Sequence, residues 1–278
     1  MKLMVQGHEA YAYTGGKPFD ARLPCIVFIH GALNDHSLWT LLARWFAHHG
    51  HAVLAVNLPG HMRSDGPALP GIEAMADWTL ALLDAAGVQR AVLAGHSMGS
   101  LVALEAAARA PGRVSHLAMI GTCVPMPVPK LLLDLSLSDP IAAIERVISY
   151  SFSTLAAKPS YPGPGSWLRG STRGMMRQVL AHHGNARLFH DDFAACNQYS
   201  GGLAAAARVA CPATLVLGRA DQMTLPRGAA EVAAALKAEV FTVNAGHYPM
   251  QEAPDATLAA LRGRIGQPAL TPPTHAAA

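Results

Sequence analysis

The sequence predicts an α/β fold: a mostly parallel central sheet with helices on both faces and one helical insertion. Three observations predict it. Apolar runs of strand length alternate with helical stretches, and strands buried on both faces read as continuous apolar runs. The pentapeptide Gly95-His96-Ser97-Met98-Gly99 stands between an apolar strand and a helix-like stretch, the setting of a sharp strand-to-helix turn. After Gly121-Thr122 the alternation stops for roughly 80 residues and resumes only at Cys211-Pro212.

Taken in order, residues 2–6 and 9–13 read as a hairpin about Gly7-His8. Strands Cys25–Ile29, Ala52–Val56, 91–94 and 115–120 then alternate with helical stretches at 38–49, 72–86 and 100–110. The interruption opens on Pro125-Met126-Pro127-Val128-Pro129, which cannot be helical throughout and predicts a stiff extended hinge. Helices are expected at 131–137 and 141–149, a Gly/Pro-rich loop at 159–165, and further helices at 175–183 and 188–199. Strands at 214–217 and 240–243 close the sheet. The predicted organisation is a core domain of residues 1–122 and 207–266, a cap insertion of residues 123–206, and a flexible tail at 267–278.

A chain of 278 residues with 51% hydrophobic and 14% charged residues suits one large buried core and excludes disorder for most of its length. The formal charge is +3, yet no basic run or aromatic-interleaved basic stripe suggests nucleic-acid binding. Cys25, Cys123, Cys196 and Cys211 form no CxxC pair and read as free thiols. No apolar segment reaches the roughly 18 residues of a membrane span, and residues 1–7 hold too little apolar length to be expected as a secretory signal. A soluble cytoplasmic protein, monomer or homodimer, without membrane or nucleic-acid partner, is expected.

Ser97 is the candidate nucleophile. A serine in a sharp turn sits in strained backbone geometry with its hydroxyl thrust outward, which Gly95 and Gly99 permit. Downstream, the strand at 214–217 runs into Asp221 and the strand at 240–243 into His247, giving the chain order Ser, Asp, His. Upstream, the strand Cys25–Ile29 ends in His30-Gly31-Ala32. A hydroxyl needs a nearby imidazole to take its proton, and that imidazole needs a carboxylate to fix its tautomer. His247 and Asp221 fill these roles. The backbone N–H groups of Ala32 and Met98 are the candidate oxyanion hole, with Leu33 and Trp167 as candidate substrate contacts. Asp134, Asp139, Asp191 and Asp192 compete with Asp221, but only Asp221 follows a strand of the resumed sheet.

These pieces resemble the α/β-hydrolase superfamily, in particular its small serine esterase-like members with a helical cap. The resemblance covers roughly residues 23–262, and adds Asn57-Leu58-Pro59-Gly60-His61-Met62-Arg63-Ser64, Cys211-Pro212, and Gly246-His247 followed by Glu252-Ala253-Pro254. It implies hydrolysis of carboxylic esters of small to medium acyl chain through an acyl-enzyme, without a cofactor. The family usually has Asp at Asn57 and Gly at Met62, so this loop is expected to take its own path.

His96 neighbours Ser97 but leaves the strand on the opposite side, and His30 reads as a loop-fixing hydrogen-bond partner. The clusters His48, His49, His51 and His182, His183, His190 with Asp191 and Asp192 resemble metal sites only in composition, and no metal is expected. Met126, Tyr150, Phe152, Trp167, Phe189 and Phe193 give the insertion apolar surface to set against the pocket. Two other readings stay open. One is a carbon–carbon bond hydrolase, with Arg169, Arg173 and Arg177 holding a substrate carboxylate; the other is a slow-turnover ligand receptor of the same fold.

Overall fold

The computed structural model describes residues 1–182 and 184–265. His183, residue 266 of the predicted core segment and the tail expected at 267–278 lie outside the described residues.

Short, β-branched and apolar residues dominate the strand segments, while longer runs with one apolar stripe form the helices. The hairpin strands are β1 (Lys2–Val5) and β2 (His8–Tyr13). After them come β3 (Cys25–Ile29), α1 (Thr40–His48), β4 (Ala52–Val56), α2 (Ile72–Ala85), β5 (Ala91–His96), α3 (Met98–Arg109) and β6 (Val114–Ile120). The interruption holds α4 (Lys130–Ser138), α5 (Pro140–Ser151), α6 (Leu168–His182), α7 (Leu188–Gln198) and α8 (Gly202–Ala206). The chain then returns through β7 (Ala213–Gly218), α9 (Ala230–Leu236), β8 (Glu239–Val243), α10 (Pro249–Glu252) and α11 (Pro254–Arg262).

One eight-stranded sheet has the order β1-β2-β4-β3-β5-β6-β7-β8. The pairings β1–β2 and β2–β4 are antiparallel and the others parallel. Strand alternation divides the core between two faces. Val27, Ile29, Leu54 and Val56 pack with α2 and α3 on one side; Ile26, Phe28, Val53 and Ala55 pack with α1 and α11 on the other. The sheet's strands therefore end together on one edge, where β3, β5, β7 and β8 each release a loop. In open sheets of this kind that edge is where ligands bind.

The predicted helix at 175–183 begins earlier, at Leu168. Gly170 and Gly174 lower helix propensity and obscured the stretch in sequence. Thr172, Met176 and Val179 recur at helical spacing and bury one face, and that burial decides the matter. α8, inside the boundary predicted for the insertion, packs on α3 and α9 of the main body.

Candidate active site

Ser97 sits at the junction of β5 and α3 with φ 51° and ψ −120°, a left-handed backbone uncommon for a residue with a side chain. Its neighbours explain the pentapeptide. A methyl group added to Gly95 would meet the Gly99 carbonyl oxygen at 2.0 Å, and one on Gly99 would meet the Ile29 and His30 carbonyls at 2.3 and 2.5 Å. The start of α3 thus lies directly on the end of β3, and only glycine permits that approach. Met98 is the first residue of α3, so its N–H has no acceptor within the helix.

The loop after β3 brings the second backbone donor. The Gly31 carbonyl accepts from His30 Nδ1 at 2.9 Å and from Asn34 N at 3.2 Å. Those bonds fix the Gly31–Ala32 peptide plane, and Ala32 borders the same cavity as Ser97. His30 Nε2 accepts from Leu58 N at 3.0 Å, which leaves the proton on Nδ1. Burial, then the charge of His61, presses the His30 pKa far below its ordinary value, so the ring is neutral and serves as the loop-fixing partner expected of it.

His247 and Asp221 arrive on the loops after β8 and β7. These loops are zipped together by bonds from Arg219 N to Val243 O and from Ala220 N to Ala245 O, both 2.9 Å. His247 Nδ1 donates to Asp221 Oδ2 at 2.9 Å, leaving Nε2 as the basic nitrogen. Asp221 Oδ1 accepts from Met223 N and Thr224 N at 2.8 and 2.9 Å, and the Thr224 hydroxyl donates to Oδ2 at 2.7 Å. Burial works to raise the Asp221 pKa, but the His247 charge and these hydrogen bonds outweigh it and hold the carboxyl below the usual range. Glu252 bonds Gly246 N at 2.9 Å and Ser153 N at 3.0 Å, tying the histidine loop to the end of α5. Among the described residues no hydrogen bond joins Ser97 to His247, although both border one cavity. Such bonds often tighten only with substrate in place.

Among the described residues His96 makes no hydrogen bond to Ser97. Its Nε2 donates to the His247 carbonyl at 2.8 Å, and its buried Nδ1 has no partner. Burial, then the nearby His247, lowers its pKa to about 3, so it holds the histidine loop as a neutral ring.

The cavity over Ser97 measures about 50 Å³. Its roof is the proline-rich strap Met126-Pro127-Val128-Pro129 with Leu132, and Phe193 and Cys196 of α7 close one side. Met223 borders this cavity and two neighbouring hollows of about 360 and 270 Å³. Sequence reasoning singled out Met126 and Phe193 but missed Met223, Thr224 and Cys196, whose only signal is nearness in sequence to Asp221 and to the helical spacing of Phe193.

Two candidate substrate contacts are not brought to this cavity. Trp167 is 51% exposed at the start of α6, its ring laid over Gly170. Leu33 is fully buried in the core with φ 51°, and its N–H is turned toward Asp192. Phe152 stacks on Tyr248, Phe189 packs on Phe193, and Tyr150 borders the neighbouring hollow with Met223. Met62, where the family usually has glycine, takes a left-handed φ of 44°. Asn57 accepts from His36 N and faces His36 Nδ1 at 2.9 and 2.8 Å.

Among the described residues no group of His, Cys, Asp and Glu could hold a metal ion, and no helix is long and apolar enough to cross a membrane. Cys25, Cys123, Cys196 and Cys211 are free, and burial raises each thiol, Cys25 to about 12 and Cys123 to about 11.

A model of the alpha/beta hydrolase family matches residues 26–261. The chain belongs to the alpha/beta hydrolase family. Among curated relatives, the dihydrolipoyllysine-residue acetyltransferase component of the acetoin cleaving system of Pseudomonas putida is 37% identical over 102 residues, 35% of this chain and 26% of that protein. The mouse sn-1-specific diacylglycerol lipase ABHD11 is 36% identical over 104 residues, 36% of this chain and 33% of that protein. The matches thus span a third or less of the relatives' own lengths. Of solved structures, the enol-lactonase of Burkholderia xenovorans LB400 superimposes with a TM-score of 0.78 at 22% identity, covering 93% of this chain and 97% of that one. The alpha/beta hydrolase MGS-M2 from a deep-sea metagenome gives a TM-score of 0.81 at 17% identity, over 98% and 100%. These likenesses extend the alpha/beta hydrolase fold to nearly the whole chain.

Proposed function

We propose that this hydrolase cleaves carboxylic esters of small acyl chain through Ser97, His247 and Asp221. The observation that carries the reading is one shared cavity of about 50 Å³, bordered by Ser97 at its strained turn, by His247 with Nδ1 bonded to Asp221, and by Ala32; Met98, the first residue of α3, follows the serine directly. In the reaction, His247 Nε2 takes the Ser97 hydroxyl proton as Oγ bonds to the ester carbonyl carbon. The carbonyl oxygen gains negative charge and accepts hydrogen bonds from Ala32 and Met98. Each such donor is worth on the order of 3 kcal/mol of barrier. His247 returns the proton to the leaving alcohol as the carbon–oxygen bond breaks. Water, deprotonated by the same nitrogen, then attacks the acyl carbon; the carbon–Oγ bond breaks as His247 returns that proton to Ser97 Oγ, and the acid leaves. Asp221 stabilises the imidazolium in both halves without taking its proton.

A cavity of about 50 Å³ holds only a few heavy atoms, which favours short acyl groups. The carbon–carbon bond reading relied on arginines to hold a substrate carboxylate. Arg173 and Arg177 are instead paired with Glu145 at 2.7 and 3.3 Å on the outer face, and neither they nor Arg169 borders the cavity. Hydrolysis of p-nitrophenyl esters from acetate to decanoate, by wild type and Ser97→Ala, tests the proposal. Turnover should peak at the short end and vanish with Ser97→Ala; no turnover on any ester would leave the receptor reading in its place.

A further inference from the structure

The carboxylate of Asp192 is an unusual object in this fold. It projects from α7 of the insertion yet is fully buried, and its Oδ2 takes the Leu33 N–H at 2.8 Å and His61 Nε2 at 2.9 Å. The second ring nitrogen of His61 faces the Pro59 carbonyl at 3.1 Å, so both nitrogens face acceptors and both carry protons. Asp192 and His61 are therefore an ion pair with side chains 1% exposed. Asp192 Oδ1 is buried with no partner at all. Such a pair stabilises a fold no better than a packed apolar pair, and an orphaned carboxylate oxygen adds a cost. Stability therefore does not account for it.

The bonds it makes do. Leu33 follows Ala32 and holds a left-handed φ of 51°, a conformation that persists only where the surroundings impose it. The Ala32–Leu33 peptide is gripped at both ends: its carbonyl accepts from Asn34 Nδ2 at 2.9 Å and its N–H donates to Asp192. That peptide shares the Ala32 Cα with the Gly31–Ala32 peptide that carries the Ala32 N–H, so letting it turn removes the downstream anchor of the donor's own peptide plane. On the same helix, Phe193 and Cys196 wall the cavity, so the seating of α7 closes the pocket and sets the loop together. Resting on the reading of Ser97 as nucleophile, we infer that Asp192 is a positioning residue for the oxyanion hole, making the aim of the Ala32 N–H depend on the insertion being docked.

The test is Asp192→Leu, which keeps the size and removes both the charge and the acceptor for the Leu33 N–H, assayed on p-nitrophenyl acetate with kcat expressed per serine titrated by a fluorophosphonate. The expected result is a fall in kcat of about 100-fold, the scale of a lost oxyanion donor, with KM within about twofold of wild type. Affinity for a trifluoromethyl ketone, which forms the tetrahedral adduct, should fall by the same factor. A kcat per titrated serine within about threefold of wild type overturns the inference, as does a rise in KM alone, which would make Asp192 a substrate contact. Should Asp192→Leu not fold, the double variant Asp192→Ala with His61→Leu removes the partner's charge as well, and carries the same two outcomes. Failure of wild-type Ser97 to react with the fluorophosphonate would instead defeat the reading of the site, and this inference with it.

Discussion

Replacing Gly99 with alanine tests the geometry of the site at its tightest point. The added carbon would lie 2.3 Å from the Ile29 carbonyl oxygen and 2.5 Å from that of His30. Both are backbone atoms at the end of a central strand, so neither can swing aside. Side-chain carbons do not approach closer than about 3.0 Å, and the first turn of α3 must retreat from β3 by at least ~0.7 Å. That movement carries the Met98 N–H and Ser97 away from the Ala32 N–H, because the first two belong to α3 and its turn and the third to β3's loop. A misplacement of about 1 Å in a catalytic group costs roughly 100-fold in rate. Overpacking of this kind also costs on the order of 1–3 kcal/mol of stability. The assay is kcat for p-nitrophenyl acetate per titrated serine, together with the thermal midpoint. Gly112→Ala, where an added carbon meets nothing within 4 Å, is the matched control. A Gly99→Ala enzyme within about threefold of wild type in kcat and unchanged in midpoint would refute the argument that this contact sets the spacing of the two donors.

Met223→Ala should join the cavity of about 50 Å³ to its neighbours of about 360 and 270 Å³, moving the preferred p-nitrophenyl ester from acetate or butyrate toward octanoate; an unmoved chain-length profile would show that Met223 does not divide them. The pKa of His96 is lowered from 6.5 to about 3, so across that interval the unfolded chain binds a proton that the native protein does not. Its contribution is intact above about pH 6.5 and is lost as pH falls toward 3, at ~1.4 kcal/mol per pH unit. In urea titrations between about pH 6 and pH 4, His96→Asn should flatten the loss of stability by about that slope, and an equal slope in both proteins would contradict the assignment.

The parts of this molecule that sequence reveals are those written in local chemistry. Cys25–Ile29 and Ala52–Val56 are continuous apolar runs because both faces of the sheet are covered; Ser97 follows such a run directly and Asp221 lies in the loop after another, whereas His247 lies in the loop after β8, an edge strand that is mostly exposed. The insertion is less legible because its contacts are set by packing. Trp167 carries the apolar bulk of a pocket residue, yet it lies outside because α6 turns Thr172, Met176 and Val179 inward. Leu33 is one residue from Ala32, but its left-handed backbone sends the side chain into the core. Asp192 offered only the composition of a rival acid or metal ligand; its partners Leu33 and His61 lie 159 and 131 residues away, where no local pattern reaches.

The central claim is that Ser97 is the nucleophile of an ester hydrolase, and the most direct test is mass mapping of the protein after treatment with a fluorophosphonate. One equivalent bound at Ser97, blocked beforehand by a short-chain ester's slow acyl analogue and absent from Ser97→Ala, is the predicted result. An unlabelled protein, or label on another residue with Ser97 free, would contradict the account.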